Sequence, residues 1–298
     1  MIFRSKEKIA AYFWENQGLK HLELRDCSGF SSLPTLPSSL ISLLVSNCPE
    51  ISSLPELPSA LGYLTVDNCP SLTSLPALPK SLTKLSVYDC PEITNLPALP
   101  SSLADMHVFR CSRIANLPIL PDFMTDLQIC HCPRITNLPA LPHSLINLRV
   151  SDCSELIGLP GLPSSLTTLQ LGDCSRFSSL PALPSALTSL LIECCPGIIS
   201  LPALPDSLTY LQVDDWPRLL GLPKLPNSLV SLMVYEFPLL LSLPELPNSL
   251  TELRLFGCPK ISRLPALPSS LTELSIEKCP GLSSSGVMQL GNMNIEIQ

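Results

Sequence analysis

"LTKLSVYDCPEITNLPALPSS" (Leu82–Ser102) is one period of a pattern that fills most of the 298-residue chain. The motif "LPxLP" occurs twelve times, its first proline stepping from Pro34 to Pro265 by 21 residues each time. Written from the first leucine, the period is L-x-x-L-x-V-x-x-C-P-x-I-x-x-L-P-x-L-P-x-x. Thirteen units run from Leu19 to Leu282 without an insertion. The alternation in L-x-V puts two apolar residues on one face and their neighbours on the other, as a short strand requires. Successive units then lay their strands side by side in a parallel sheet, about 4.8 Å apart. One unit cannot bury its apolar face, whereas a stack buries a continuous core. Two prolines per unit exclude a regular helix on the return side and predict an extended, polyproline-like path there.

The expected fold is therefore a leucine-rich-repeat solenoid. It has a parallel β-sheet on the concave face, an extended convex face and little helix beyond an N-terminal cap. A thin return side predicts weak curvature and a sheet face about 60 Å long. Residues 1–18 are expected to form the capping helix, with Ile9, Tyr12 and Phe13 at helical spacing; residues 19–282 form the repeats. Residues 283–298 form a C-terminal cap with a fourteenth strand, because Ile295 and Ile297 stand 21 residues after Leu274 and Ile276.

Composition alone misleads. Thirty-three prolines hint at disorder, and a 45% hydrophobic content hints at a membrane. Yet no run approaches the roughly 18 apolar residues of a spanning helix. The first residues, "MIFRSKEKIAAYFWENQ", carry charges through the place of a signal peptide's apolar core, so no Sec signal is expected. A net charge of −7 opposes a general phosphate-backbone binder. Neither nucleic-acid binding nor membrane insertion is expected.

Eleven of the thirteen cysteines share one column, which only Trp216 and Phe237 interrupt. This predicts an inward ladder of small, weakly polar side chains meeting neighbouring backbone groups. Parallel Cβ vectors suit disulfides poorly, and so many unpaired thiols favour a reducing compartment. C-x-x-C spacing is absent, and "CHC" (Cys130–Cys132) alternates faces, so no metal or cofactor is expected. Trp216 and Phe237 are too large for a thiol's slot: either the core widens there or the rings turn outward.

The outward residues are those at positions 3, 5, 7 and 8 of each unit. Tyr63, Tyr88 and Phe109 recur as Tyr210, Tyr235 and Phe256, each displaced by 147 residues, or seven units. Asp105 is matched by Glu252, His107 by Arg254, and Asp67 by Asp214. Aromatics on an outward sheet face have no core duty and dominate binding hot spots. Two similar contact patches about 34 Å apart are expected. The same columns hold fifteen acids against six Lys or Arg, a balance of −9. That predicts a protein partner with a basic surface, recruited electrostatically. The expected partner-binding residues are Tyr63, Tyr88, Asp105, His107, Phe109, Arg110, Asp126, Gln128, His131, Tyr210, Gln212, Asp214, Met233, Tyr235, Arg254 and Phe256. Asp89, Asp152 and Asp173, just before the cysteine, are expected to cap a turn.

"DMHVFRC" (Asp105–Cys111) and "DLQICHC" (Asp126–Cys132) do bring His107, Cys130, His131 and two aspartates onto neighbouring strands. A Cys–His nucleophilic pair needs the base within hydrogen-bond reach, a pocket and an oxyanion site. A shallow sheet offers none of these, so the chain is expected to be non-enzymatic, with Cys130 a small exposed thiol.

With its repeat written out, the chain resembles the bacterial leucine-rich-repeat effectors injected into host cells by type III or type IV secretion, a Legionella-type effector being favoured. Those share L-x-x-L-x-V and the "LPxLP" turn, usually with Asn where this chain has Cys and with one residue fewer. The resemblance implies a protein-binding scaffold, monomeric on its own, secreted and acting in host cytosol. Some members carry a C-terminal ubiquitin-ligase domain with a catalytic cysteine; this chain is expected to lack it and to be complete as a capped solenoid. "LPSSLTELSIEKCPGLSSSG" also resembles the repeats of plant immune receptors and F-box proteins, so a substrate-recognition repeat region is a further alternative. Two uses of the sheet stay open. It holds a host protein, or it covers another effector's active site as an inhibitor.

Overall fold

A computed structural model describes residues 3–282 and the strand 294–297. The chain divides into two compact units, Met1–Glu155 and Leu156–Gln298. In the first unit, α1 (Lys6–Glu15) precedes seven strands: β1 (His21–Arg25), β2 (Ser42–Ser46), β3 (Tyr63–Asp67), β4 (Lys84–Tyr88), β5 (Asp105–Phe109), β6 (Asp126–Cys130) and β7 (Asn147–Ser151). The second holds β8 (Thr168–Gly172), β9 (Ser189–Glu193), β10 (Tyr210–Asp214), β11 (Ser231–Tyr235), β12 (Glu252–Phe256), β13 (Glu273–Glu277) and β14 (Asn294–Ile297). Within each unit, consecutive strands pair in parallel, and equivalent residues 21 apart face one another: Val87 lies opposite Val108, Leu211 opposite Leu232. Ile295 lies opposite Leu274. The rest of the expected C-terminal cap, 283–293, lies outside the described residues.

One repeat shows how the core is built. Leu82, Leu85, Val87, Cys90 and Ile93 are fully buried and Leu96 nearly so. These columns stack from unit to unit, so each side chain packs on its own kind. Each of β1 to β13 ends at position 7, and at position 8 the backbone turns into the left-handed region. Twelve non-glycine residues there, from Asp26 to Lys278, have φ between 47° and 54°, and Gly257 completes the column at 65°. Asn and Asp tolerate this conformation best, which explains their abundance in the column.

Among the described residues, the return path carries no helix or named strand, only the isolated Ser32–Ser53 bridge, and is held by repeated local bonds. Leu103 N donates to Pro100 O (3.1 Å) and Ile114 N to Cys111 O (3.2 Å), with equivalents along the chain. A serine just before the next repeat donates to the carbonyl 20 residues earlier, as in Ser102 Oγ to Leu82 O and Ser249 Oγ to Leu229 O (2.7 and 2.6 Å). Each such bond satisfies a return-side carbonyl that proline-rich backbone has few N–H groups to meet.

At the N-terminal edge, Ser5 caps α1 by accepting from Lys8 N at 3.4 Å. Ile9 and Phe13 are buried, while Tyr12 packs on Phe3 with ring centroids 5.8 Å apart. Amphipathic packing covers what would otherwise be an open apolar layer beside β1.

All eleven column cysteines place Sγ 3.2 to 3.6 Å from the carbonyl two residues back. Burial pushes the Cys111 and Cys132 thiols up to about 12 and about 11, so they stay protonated as donors. Trp216 and Phe237 are fully buried, their centroids 6.2 Å apart, so the rings replace the thiols inward rather than turning out.

Candidate functional site

The first unit gathers its chemistry on β4 to β7. Position 7 of β4 and β5 carries Tyr88 and Phe109, opposite one another in register, with ring centroids 5.3 Å apart and tilted by 51°. Position 5 of β5 carries His107, whose ring is edge-on to Phe109 at 6.5 Å. His107 Nδ1 lies 3.3 Å from Tyr88 Oη, and Nε2 lies 2.9 Å from Asp126 Oδ1 on β6. A neutral ring donating from Nε2 and accepting the Tyr88 hydroxyl proton at Nδ1 satisfies both bonds. Asp126 also accepts from Gln128 Nε2 (3.0 Å) and Asn147 Nδ2 (3.3 Å). Burial opposes its charge, but these donors outweigh it and hold the carboxyl below the usual carboxylate range.

Asp105 lies beside Asp126 in register, with Lys84 on its other side. The bonds around Asp126 disperse the like-charge repulsion that the sequence sets up. The Asp105 carboxylate itself has no hydrogen-bond or ion-pair partner among the described residues. At position 8, Arg110 Nη1 stands 3.5 Å from Asp89 Oδ2, and His131 Nδ1 stands 3.4 Å from Asp152 Oδ1.

The second unit repeats the arrangement with other residues. Tyr235 and Phe256 face one another, centroids 6.5 Å apart and again tilted by 51°. Arg254, at the place of His107, reaches one strand on: its Nη2 is 2.5 Å from Glu273 Oε1. Arg254 Nε lies 2.7 Å from Glu252 Oε1, an ionic contact without the geometry of a linear hydrogen bond. Glu252 also accepts from Ser231 Oγ at 2.8 Å. Lys278 Nζ stands over the Phe256 ring, 4.4 Å from its centroid. Tyr210 Oη donates to Gln212 Oε1 (2.6 Å) and lies 3.5 Å from Met233 Sδ, while Gln212 Nε2 donates to Glu193 Oε1 (3.0 Å). Asp214 sits beside Glu193 on β9; burial first, then the Glu193 and Asp215 charges, push its carboxyl up.

No protein family and no curated protein sequence matches the chain. Solved structures do. The leucine-rich effector YopM from Yersinia pestis is 28% identical over 92% of this chain and 88% of its own, with a TM-score of 0.62. YopM from Yersinia enterocolitica WA-314 is 29% identical over 87% of this chain and 68% of its own, at a TM-score of 0.48. The fold is a leucine-rich-repeat solenoid. The likeness to the Yersinia pestis protein makes it effector-like as well as leucine-rich.

On this leucine-rich-repeat scaffold, the sheet face is less open than its columns imply. Tyr88, Phe109, Tyr235 and Phe256 are half-buried, and of the outward aromatics only Tyr63 is exposed, at 51%. Parallel strands 21 residues apart bring equivalent side chains into contact, and long ones lie over shorter neighbours. Cys130 is the clearest correction: it is buried, not an exposed thiol. It lies between Phe109 and Ser151 in register, and burial pushes its thiol up. It is also no partner for His107, whose two ring nitrogens are engaged by Tyr88 and Asp126. Tyr63 and Tyr210 sit at position 3, opposite Lys84 and Ser231, at the other end of the strands from Tyr88 and Tyr235. Among the described residues, neither belongs to an aromatic pair.

Two further residues escaped the sequence reading. Ile119 is 88% exposed and Phe123 71% exposed on the return side of the first unit. Ile119 lines a shallow groove of about 610 Å³ with Ala98, Leu99, Pro118 and Asp122. The available signal was columnar: Ile119 stands where other "LPxLP" motifs have mostly Ala, and Phe123 where most units have the bonding serine. Among the described residues, no group of three or more His, Cys, Asp or Glu side chains could hold a metal ion, and no helix is long and apolar enough to cross a membrane.

Proposed function

We propose that this chain is a non-enzymatic protein-interaction module, a bacterial effector secreted into host cytosol that binds a protein partner through the strand faces of its units. The observation that carries this reading is the repeated constellation. Each unit sets a tilted Tyr–Phe pair beside a position-5 base, and that base reaches the acid 19 residues on: His107 to Asp126, Arg254 to Glu273. A core does not need such sets on an outward face, and half-buried aromatics held by a polar network are pre-organised for contact. The acidic outward columns favour a partner with a basic surface. Such a partner is either a host protein that is held or an enzyme whose active site is covered; its identity decides between them.

The test is affinity capture with wild type and a Tyr88→Ala/Phe109→Ala/Tyr235→Ala variant whose strand signal and melting are retained. Loss of the captured protein from the variant is the expected outcome. Equal capture by both proteins would move the binding surface off the strand faces, with the Ile119–Phe123 side the next to be altered.

A further inference from the structure

The two constellations differ in one respect that points to a ligand. Residues 147 apart are equivalent, so Phe109 corresponds to Phe256, Asp105 to Glu252 and His131 to Lys278. In the second unit these groups are satisfied from within: Lys278 Nζ stands 4.4 Å over the Phe256 ring, and Glu252 holds Arg254 and Ser231. In the first unit the corresponding places are open. No cation among the described residues stands over Phe109. His131, at the place of Lys278, pairs instead with Asp152. Arg110 turns to Asp89. The Asp105 carboxylate has no partner among the described residues.

We propose that the Phe109 ring, braced by Tyr88, is the plane on which a protein partner seats a lysine or arginine side chain, as Lys278 is seated on Phe256. This rests on the strand-face reading above and names what that face recognises in the first unit. Charge favours the occupant. On β3 to β7, Asp67, Asp89 and Asp152 share that end of the strands with a single arginine, Arg110, which stands beside Asp89. A half-buried ring with acids around it attracts a cation through its quadrupole and through the surrounding field. Tyr88 holds the ring at a fixed tilt, so little ordering is needed when the cation arrives.

The probe is a fluorescein-labelled hexa-arginine peptide, with hexa-citrulline as its uncharged isostere, titrated by anisotropy at physiological salt. Phe109→Leu keeps apolar bulk and removes the quadrupole; it is expected to weaken hexa-arginine binding about fivefold, while Phe109→Tyr retains it. His131→Lys builds the second unit's internal cation into the first and is expected to weaken binding more than Ser101→Lys, which adds the same charge on the return side. Hexa-citrulline is expected not to bind. Wild-type affinity in Phe109→Leu, or equal effects of His131→Lys and Ser101→Lys, would overturn the proposal, as would binding of hexa-citrulline as tight as that of hexa-arginine. If the triple alanine variant loses its captured partner while Phe109→Leu and His131→Lys bind hexa-arginine like wild type, only this inference falls. If the triple variant captures normally, the strand-face reading itself falls.

Discussion

His107 Nε2 lies 2.9 Å from Asp126 Oδ1, one strand on and 19 residues later, in the same geometry that joins Arg254 to Glu273. The bond ties β5 to β6 through side chains as well as backbone. It also turns a repulsive pair of neighbouring aspartates into one engaged and one free carboxylate.

Asp126 is therefore a source of pH dependence. Its folded carboxyl titrates below its usual value of 3.8, so it contributes stability that is complete above that value. The contribution is lost as pH falls through the lower folded value. Asp126→Asn is expected to cost about 1 kcal/mol at pH 7, the worth of a partly exposed charge-assisted bond. Urea midpoints at stepped pH should show the gap between wild type and variant constant from pH 7 to 5 and closing below about pH 4. A gap that persists unchanged at pH 3 would remove the ionised carboxylate from the account.

Asp214 carries the opposite sign. Burial and the Glu193 and Asp215 charges raise its folded carboxyl, so its ionised form opposes folding above that raised value and the penalty vanishes below 3.8. Asp214→Asn is expected to raise the melting temperature at pH 7 by about 1 °C, the effect of relieving a like-charge cross-strand pair. At pH 3.5 the two proteins should melt together. Such an acid, kept at a cost in stability, is expected to matter for a basic partner, and the same variant should weaken capture of that partner.

The parts of this structure that repeat were legible in sequence; the parts that depend on one neighbour were not. Leu82, Val87, Cys90 and Ile93 announce their burial because an apolar residue stands at each of these places in all thirteen repeats. Arg110 and His131 did not announce that their column is also a left-handed turn, because a backbone requirement met by Asp, Asn, Arg, His and Cys alike leaves only a weak compositional trace. Cys130 reads as exposed from its parity, yet Phe109 and Ser151 flank it. Parity gives the face, and the neighbours' sizes give the exposure. The pairing of Tyr88 with Phe109 was legible as adjacency, but the relay through His107 to Asp126 depends on rotamers that no period encodes.

Cys194 occupies the left-handed column between Asp173 and Asp215, with φ 47°. Asn47 and Asn68 show what the column favours: Asn47 Nδ2 donates to Asp26 Oδ1 at 3.1 Å and Asn68 Nδ2 to Asn47 Oδ1 at 2.6 Å. Cys194→Asn supplies a residue that tolerates this conformation and a donor facing Asp173. It is expected to stabilise the protein by about 0.5–1 kcal/mol, read as a higher urea midpoint at unchanged slope. No gain would mean that the column's Asn and Asp are kept for something other than the turn.

Trp216 and Phe237 fill two thiol slots with rings, and the Trp216 Nε1 donor has no hydrogen-bond partner among the described residues. Burial of so large a side chain outweighs one unsatisfied N–H, which costs about 1–3 kcal/mol. Trp216→Ala should lose about 3–5 kcal/mol by opening a cavity beside Phe237. Trp216→Phe removes the orphan donor together with part of the volume, and the two effects oppose, so its stability should lie within about 1 kcal/mol of wild type. Circular dichroism melts in urea compare the three proteins without relying on tryptophan emission. Equal losses in both variants would show that removing the indole N–H brings no offsetting gain.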